Sequence, residues 1–354
     1  MAPYAGVTTT ITRMENRKHI KEDVPKDVKL VPKGYKGFFG EYVTDLIWLH
    51  IISIGLFHVI ALYCFITFPF LSCNYKTLLW GVVMGGFSGF GVTAGAHRLW
   101  CHRSYKAKLP LQIILAICYS AAGQNTIFDW VRDHRVHHKY SETDADPHNS
   151  NRGFFFAHMG WLFMRKHPEV IRRGNQIDMS DITDDPLLKL HHKFFLPLKI
   201  IFCFVLPTAV PVYFWSENIY NAIVTQCIVR YILSLHFTWS VNSAAHLFGN
   251  KPYNININPR ENLAVALISM GEGWHNYHHT FPWDYRAAEL GKINTTLIWL
   301  DLFQKIGWAY DMKTPSKELI KAVIERRGPE SVNKHCHSHP EEVPTPDSDN
   351  EKSI

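Results

Sequence analysis

Four long apolar runs, arranged as two close pairs, limit what this chain can fold into. DLIWLHIISIGLFHVIALYCFITF (45–68) and TLLWGVVMGGFSGFGVTAGA (77–96) are joined by the short link PFLSCNYK. FFLPLKIIFCFVLPTAVPVYFW (194–215) and IYNAIVTQCIVRYILSLHFTWSV (219–241) are joined by SEN. About 20 apolar residues suffice for a helix to cross the hydrocarbon layer of a membrane. The third run carries Lys199 and three prolines and the fourth carries Arg230, which count against them. The close pairing counts for them, because a short link between two such runs is a hairpin of spans. The expectation is an all-α integral membrane protein with four transmembrane helices.

Charge distribution orients those spans. Arg13, Arg17, Lys18, Lys21, Lys26, Lys29, Lys33 and Lys36 precede the first run, whereas the first hairpin carries only Lys76 and the second no basic residue. The positive-inside rule places the N-terminus in the cytosol. Two hairpins return the chain there each time, so 97–193 and 242–354 share the cytosolic side.

The flanks are polar. Residues 1–36 read as a basic, disordered arm without the apolar core of a cleavable signal peptide. The tail 328–354 is rich in Pro, Ser and charge and also reads as disordered, leaving 37–327 as the folded domain. LPLQIILAICYSAAGQ (109–124) is apolar but short of a span, and is expected along the membrane interface or beneath the site. Lys and Arg exceed Asp and Glu by 37 − 31 = 6. No dense basic run or aromatic stacking platform accompanies that excess, so nucleic acid is not indicated. The seven cysteines form no C-x-x-C pair and are expected as small core residues in a reducing compartment.

Histidine placement carries the chemistry. DHRVHHKY holds His134, His137 and His138, and EGWHNYHHTF repeats the spacing with His275, His278 and His279. Positions i, i+3 and i+4 share one face of a helix, so each triplet points one way. GAHRLWCH adds His97 and His102 at the end of the second run. Five residues apart is about 140° off-phase on an α-helix, so the helix is expected to unwind between them. His246 follows the fourth run. Neutral imidazole suits zinc, copper, iron and nickel. Nine histidines exceed what one ion coordinates, and two ions share them more naturally. Asp133, Asp144, Asp146 and Glu272 are candidate acceptors for the outer imidazole N–H groups. The H-E-x-x-H of a hydrolytic zinc site is absent, so a redox pair of irons that activates dioxygen fits better. A membrane metal transporter is the alternative from another class, but it would place its ligands within the spans. His50, His58 and the tail HCHSHP (335–340) are assigned no catalytic role. The sequon at Asn294 is expected to stay unmodified on the cytosolic side.

HRLWCH, HRVHH and HNYHH resemble the three histidine boxes of the membrane acyl-CoA desaturases, the stearoyl-CoA desaturase family. TAGAHRLW, DHRVHHKYSETDADPHN, RGFFFAHMGW, VNSAAH and GEGWHNYHHTFPWDY extend the likeness over roughly 37–327, and the whole is most similar to the insect branch. The resemblance implies four membrane helices topped by a cytosolic helical cap that holds a di-iron site. By matching positions, His97, His102, His134, His138 and His278 would hold one iron. His137, His246, His275 and His279 would hold the other, with Asn242 reaching it through water. Asn125, Arg132, Asp133, Arg165, Lys166 and Trp239 would contact the acyl-CoA. The implied reaction removes two hydrogens from neighbouring methylenes of a saturated chain, with O2 as oxidant. Electrons would come from an NAD(P)H reductase through cytochrome b5, at the endoplasmic reticulum membrane with both termini and the active site cytosolic. The double bond is expected cis at Δ9; a Δ11 or bifunctional enzyme of pheromone-type lipid synthesis is the alternative. Two positions depart from the family. Ile52 falls near a substrate-contacting asparagine, and Gly85 falls where some relatives close the chain-length tunnel with a bulky residue.

Overall fold

The computed structural model describes residues 36–37, 40–41, 44–289, 291–329 and 331. The basic arm, apart from Lys36, and the tail beyond 331, with its HCHSHP stretch and Cys336, lie outside the described residues, so the charge count that oriented the spans does too. Fifteen helices organise the rest. In order they are α1 (Trp48–Thr67), α2 (Tyr75–Cys101), α3 (Leu109–Ala122), α4 (Ile127–Tyr140), α5 (Phe154–His158), α6 (Pro168–Gly174), α7 (Ser180–Thr183) and α8 (Pro186–Lys193). There follow α9 (Phe195–Trp215), α10 (219–242), α11 (Ala244–Leu247), α12 (Leu263–Ile268), α13 (His275–Thr280), α14 (Thr295–Lys305) and α15 (Lys317–Arg327). Three short 3-10 turns, Phe70–Ser72, Ser150–Arg152 and Gly160–Phe163, and two minimal antiparallel ribbons, Lys36–Gly37 with Gly40–Glu41 and Lys106–Ala107 with Ala309–Tyr310, accompany them.

Three helices, α1, α2 and α9, are long and apolar enough to cross a membrane. The fourth expected span is a continuous helix, α10, but it falls outside that group on composition. Arg230 is the telling residue. It is buried, and its guanidinium donates to the carbonyl of Gln226 at 3.0 Å and to that of Cys203 on α9. Backbone carbonyls of two packed helices thus offset the cost of a buried charge. Glu217 joins the two hairpins, accepting from Asn74 N (2.9 Å), Thr77 Oγ1 (2.5 Å) and Asn218 N (3.0 Å).

Segment 109–124 lies beneath the site rather than along a surface. Leu111, Leu115, Cys118, Tyr119 and Ala121 of α3 are fully buried against the second half of α2. Gly91 permits that approach, because a Cβ there would lie 2.1 Å from Tyr119 N. Gly123 then ends α3 at φ 67°, with no room for a side chain beside Cys203 and Tyr231. The chain turns through 86° into α4. Five of the six described cysteines are buried and all are free. Asn294 is buried and caps α14 by accepting from Leu297 N at 3.1 Å, so the sequon serves as a helix cap.

Candidate metal centre and substrate cavity

Short-range helix chemistry sets up each ligand group. Thr126 caps α4, its hydroxyl accepting from Asp129 N at 3.1 Å. From that start, His134, His137 and His138 fall on one face. His275, His278 and His279 do the same on α13. His97 and His102 meet by a different route from the unwinding expected. Gly91–Cys101 is a π-helical stretch, and the His102 amide donates to the His97 carbonyl at 3.0 Å. An i→i+5 ladder stacks residues five apart as an α-helix stacks residues four apart. The two rings sit 4.7 Å apart between centroids.

The nine imidazoles form two groups. His97, His102, His134, His138 and His278 bring one ring nitrogen each to within 4.8 Å of one another, and so do His137, His246, His275 and His279. The Nε2 of His278 lies 2.9 Å from that of His97 and 3.0 Å from that of His138. The Nε2 of His275 lies 3.0 Å from that of His246 and 3.1 Å from that of His279. One N–H satisfies only one such contact.

Carboxylates hold the far nitrogens. His137 Nδ1 donates to Asp146 at 2.8 Å, and His246 Nδ1 donates to Glu142 at 2.7 Å. His97 Nδ1 lies 2.9 Å from Glu272, whose other oxygen accepts from Arg98 at 2.6 Å. A neutral ring whose Nδ1 bears the proton presents a bare lone pair at Nε2. Burial, reinforced by the neighbouring imidazoles, pushes His102, His134, His138, His275, His278 and His279 well below the usual histidine range. Burial opposes charge on His137 too, but the Asp146 carboxylate outweighs it and raises that ring. Against their own burial, Asp146 is held at about 2 by His137, and Glu272 at about 2 by Arg98 and His97. Converging lone pairs with carboxylates behind them repel unless a cation sits between. This donor set therefore fits two metal ions, and nitrogen ligands of this kind suit iron.

Three cavities share wall residues in series, and the middle one borders the histidine groups. The outer one, about 620 Å³, is lined by Asn125, Arg152, Arg165, Lys166 and His167 among others. It shares His50, Asn125, Trp161 and Leu162 with a middle cavity of about 400 Å³, whose wall holds His97, His134, His275, Trp239 and Asn242. The middle cavity shares Val92, Thr93, Gln124 and Thr238 with an inner one of about 540 Å³ between α2 and α10. Gly81, Gly85, Gly86 and Gly89 line that inner end, and a Cβ at Gly85 or Gly86 would meet nothing within 4 Å. Close helix packing therefore does not explain Gly85; it does explain Gly89, whose Cβ would lie 2.7 Å from Met270 Sδ.

Other expected residues fall in different places. Asp133 turns to Lys166 and to Arg132 (3.0 Å) rather than to an imidazole. Arg132 lines none of the three cavities, and Asp144 lies in the outer cavity wall. Ile52 is exposed on α1, whereas His50 lines the path. Sequence reasoning missed Glu142, Arg98 and His148, which groups with His137 and Asp146. It also missed a chain of imidazoles around Trp239: His58 to His236 at 3.1 Å, His236 to His158 at 2.9 Å, and His158 to Ser243 at 2.8 Å. Glu142 and His148 sit within the DHRVHHKYSETDADPHN context. The His58 chain had no local signal, because its members are scattered.

The sequence matches known proteins along most of its length. A family model for fatty acid desaturases matches residues 75–302. The acyl-CoA Delta-9 desaturase of Acheta domesticus is 51% identical over 81% of this chain and 80% of its own length. The acyl-CoA Delta(11) desaturase of Spodoptera littoralis is 48% identical over 91% of both chains. Human stearoyl-CoA desaturase is 47% identical over 88% of this chain and 87% of its own.

Proposed function

The chain belongs to the fatty acid desaturase family and is an oxygen-dependent acyl-CoA desaturase; we propose that it forms a cis Δ9 double bond at a di-iron centre in the endoplasmic reticulum membrane. The observation that carries the metal reading is the grouping of nine imidazoles, six buried and three half-buried, into a five and a four, with Asp146, Glu142 and Glu272 behind three of them.

In this reading His97, His102, His134, His138 and His278 hold one iron. His137, His246, His275 and His279 hold the other, with Asn242 assisting through water. Bound iron would supply the activation of O2 and the removal of two hydrogens from adjacent methylenes. The balance is one saturated acyl-CoA, O2, two electrons and two protons giving one unsaturated acyl-CoA and two waters. Cytochrome b5 is the proposed electron donor, fed by an NAD(P)H reductase.

The protein's own part is orientation and exclusion of water. Glu142 and Asp146 keep the protons on His246 and His137 at Nδ1, so that each Nε2 stays free to ligate, and the Glu272 carboxylate lies 2.9 Å from His97 Nδ1. Arg165 and Lys166 give the outer cavity the charge that coenzyme A phosphates need. Asn125, where the outer and middle cavities meet, and Trp239, in the middle wall, would flank the thioester and the first methylenes. Arg132 would act on the headgroup outside the path, held by Asp133. The methyl end would rest in the glycine-lined inner cavity.

Expression in a desaturase-deficient yeast, with double bonds located by mass spectrometry of disulfide adducts, tests the reading. Δ9 products that vanish in His137→Ala are the expected outcome. Δ11 products would move the chain to the second reading, which the Spodoptera littoralis relative favours. No new unsaturation from an iron-loaded protein would overturn the proposal that this centre forms the double bond.

A further inference from the structure

Helix α14 is apolar on two sides. Leu300 is fully buried in the core, yet Ile298 is 67% exposed and Trp299 51% exposed. Leu302 and Ile306 continue that outer stripe one and two turns on, and Ile293 and Leu267 on neighbouring segments extend it. One buried face accounts for folding, but a second, uncovered one needs a different neighbour.

Its height along α2 identifies that neighbour. Thr296 bonds to Thr93 at 2.8 Å, and Phe303 stacks on Phe90 at 6.0 Å. At about 1.5 Å per residue, Phe90 and Thr93 lie roughly 22 and 27 Å along α2 from Tyr75. A hydrocarbon layer is about 30 Å thick. Helix α14 thus crosses α2 where that layer ends on the histidine side. Exposed aromatic residues mark both boundaries. Tyr75, Tyr213 and Tyr220 stand at the far end of the spans, whereas Trp48 and Trp299 stand at the near end. Lys292 and Lys305, both exposed, flank the stripe in sequence and carry the charge that anionic lipid headgroups attract.

We propose that α14, with the Leu267 edge of α12, lies in the bilayer surface as an interfacial collar, its Ile298–Trp299–Leu302–Ile306 face immersed in lipid. The occupant is the leaflet on the histidine side, because the stripe continues the lipid-facing surface of the spans at the same depth. The collar also bears on the substrate path: Leu267, Ile268 and Met270 line the inner cavity, so lipid would press on its roof. The proposal depends on membrane insertion and not on which bond the enzyme desaturates.

The test uses the full-length, iron-loaded protein in discs of phosphatidylcholine and phosphatidylserine, with Cys227 and Cys336 replaced by alanine. A bimane fluorophore is placed on Ile298→Cys or Leu302→Cys, on Val59→Cys in α1 as a lipid reference, and on Lys317→Cys in α15 as a water reference. Quenching by phosphatidylcholine bearing a nitroxide high on its acyl chain is compared with quenching by aqueous iodide. At 298 and 302 the lipid quencher is expected to dominate, as at 59 and opposite to 317. Iodide quenching at 298 equal to that at 317 would overturn the collar. So would shielding from both quenchers, which would place a second copy or another protein on that face. Iodide access at 59 as well would overturn the membrane reading itself, and the collar with it.

Discussion

The two halves of α2 are built on opposite rules. From Tyr75 to Phe90 the helix is regular, four glycines thin one side, and the space beside Gly85 and Gly86 is left open. From Gly91 to Cys101 every residue is buried, the ladder widens to i→i+5, and polar side chains reach carboxylates and imidazoles. One rod therefore carries both a wall of the inner cavity and a wall of the histidine groups, which in the proposed reading are the floor of the substrate path and a wall of the metal centre. Gly85 and His97, twelve residues apart, are roughly 18 Å apart along it. An unreactive acyl chain offers no polar group for selecting a carbon, so a rigid ruler between its end and the metals is a physical way to choose one.

The comparison breaks most severely at the metal end. Glu272→Gln keeps the shape but removes the charge shared by Arg98 and His97. Loss of such a supporting partner typically costs 10–100-fold in metal affinity or activity, so iron content and turnover should fall by about that factor, with the fold retained by circular dichroism. At the junction, Gly91→Ala forces a methyl into the α3 backbone. Overpacking of this kind costs about 1–3 kcal/mol, read as a lowered thermal midpoint. At the open end the changes should be milder. Gly85→Tyr should leave iron binding intact and shift products toward shorter chains; an unchanged chain-length profile would remove Gly85 from the path. Gly86→Ala meets no neighbour, so it should stabilise slightly, by roughly 0.5–1 kcal/mol, because alanine suits a helix interior better. Opposite signs for Gly91→Ala and Gly86→Ala would show that the two halves answer to different constraints.

Much of this was legible in the residues because it is local. Runs such as 45–68 announce a helix by length and apolarity alone, and H-x-x-H-H announces a shared helical face. Arg230 could not be interpreted that way, since its partners are carbonyls on two helices. The π-helical register of Gly91–Cys101 was hidden too, because the signal in GAHRLWCH is an angle that looks wrong on an α-helix. Glu142 was passed over while Asp144 was considered, although two residues separate them. Which carboxylate turns inward depends on the loop after Tyr140 and on where His246 arrives, 104 residues later.

The sequence by itself determined that this chain has membrane-length apolar helices, that its histidines come in phased groups, and that its boxes resemble those of acyl-CoA desaturases. Those properties follow from spacing along one backbone, where neighbours are set by covalent geometry. The resemblance already divided the nine imidazoles into five and four; tertiary structure decided which acids stand behind them, how His97 and His102 meet, and how wide the cavity is beside Gly85. The acids and the cavity depend on side chains from segments far apart in sequence meeting at distances of a few ångströms, which packing sets and spacing does not.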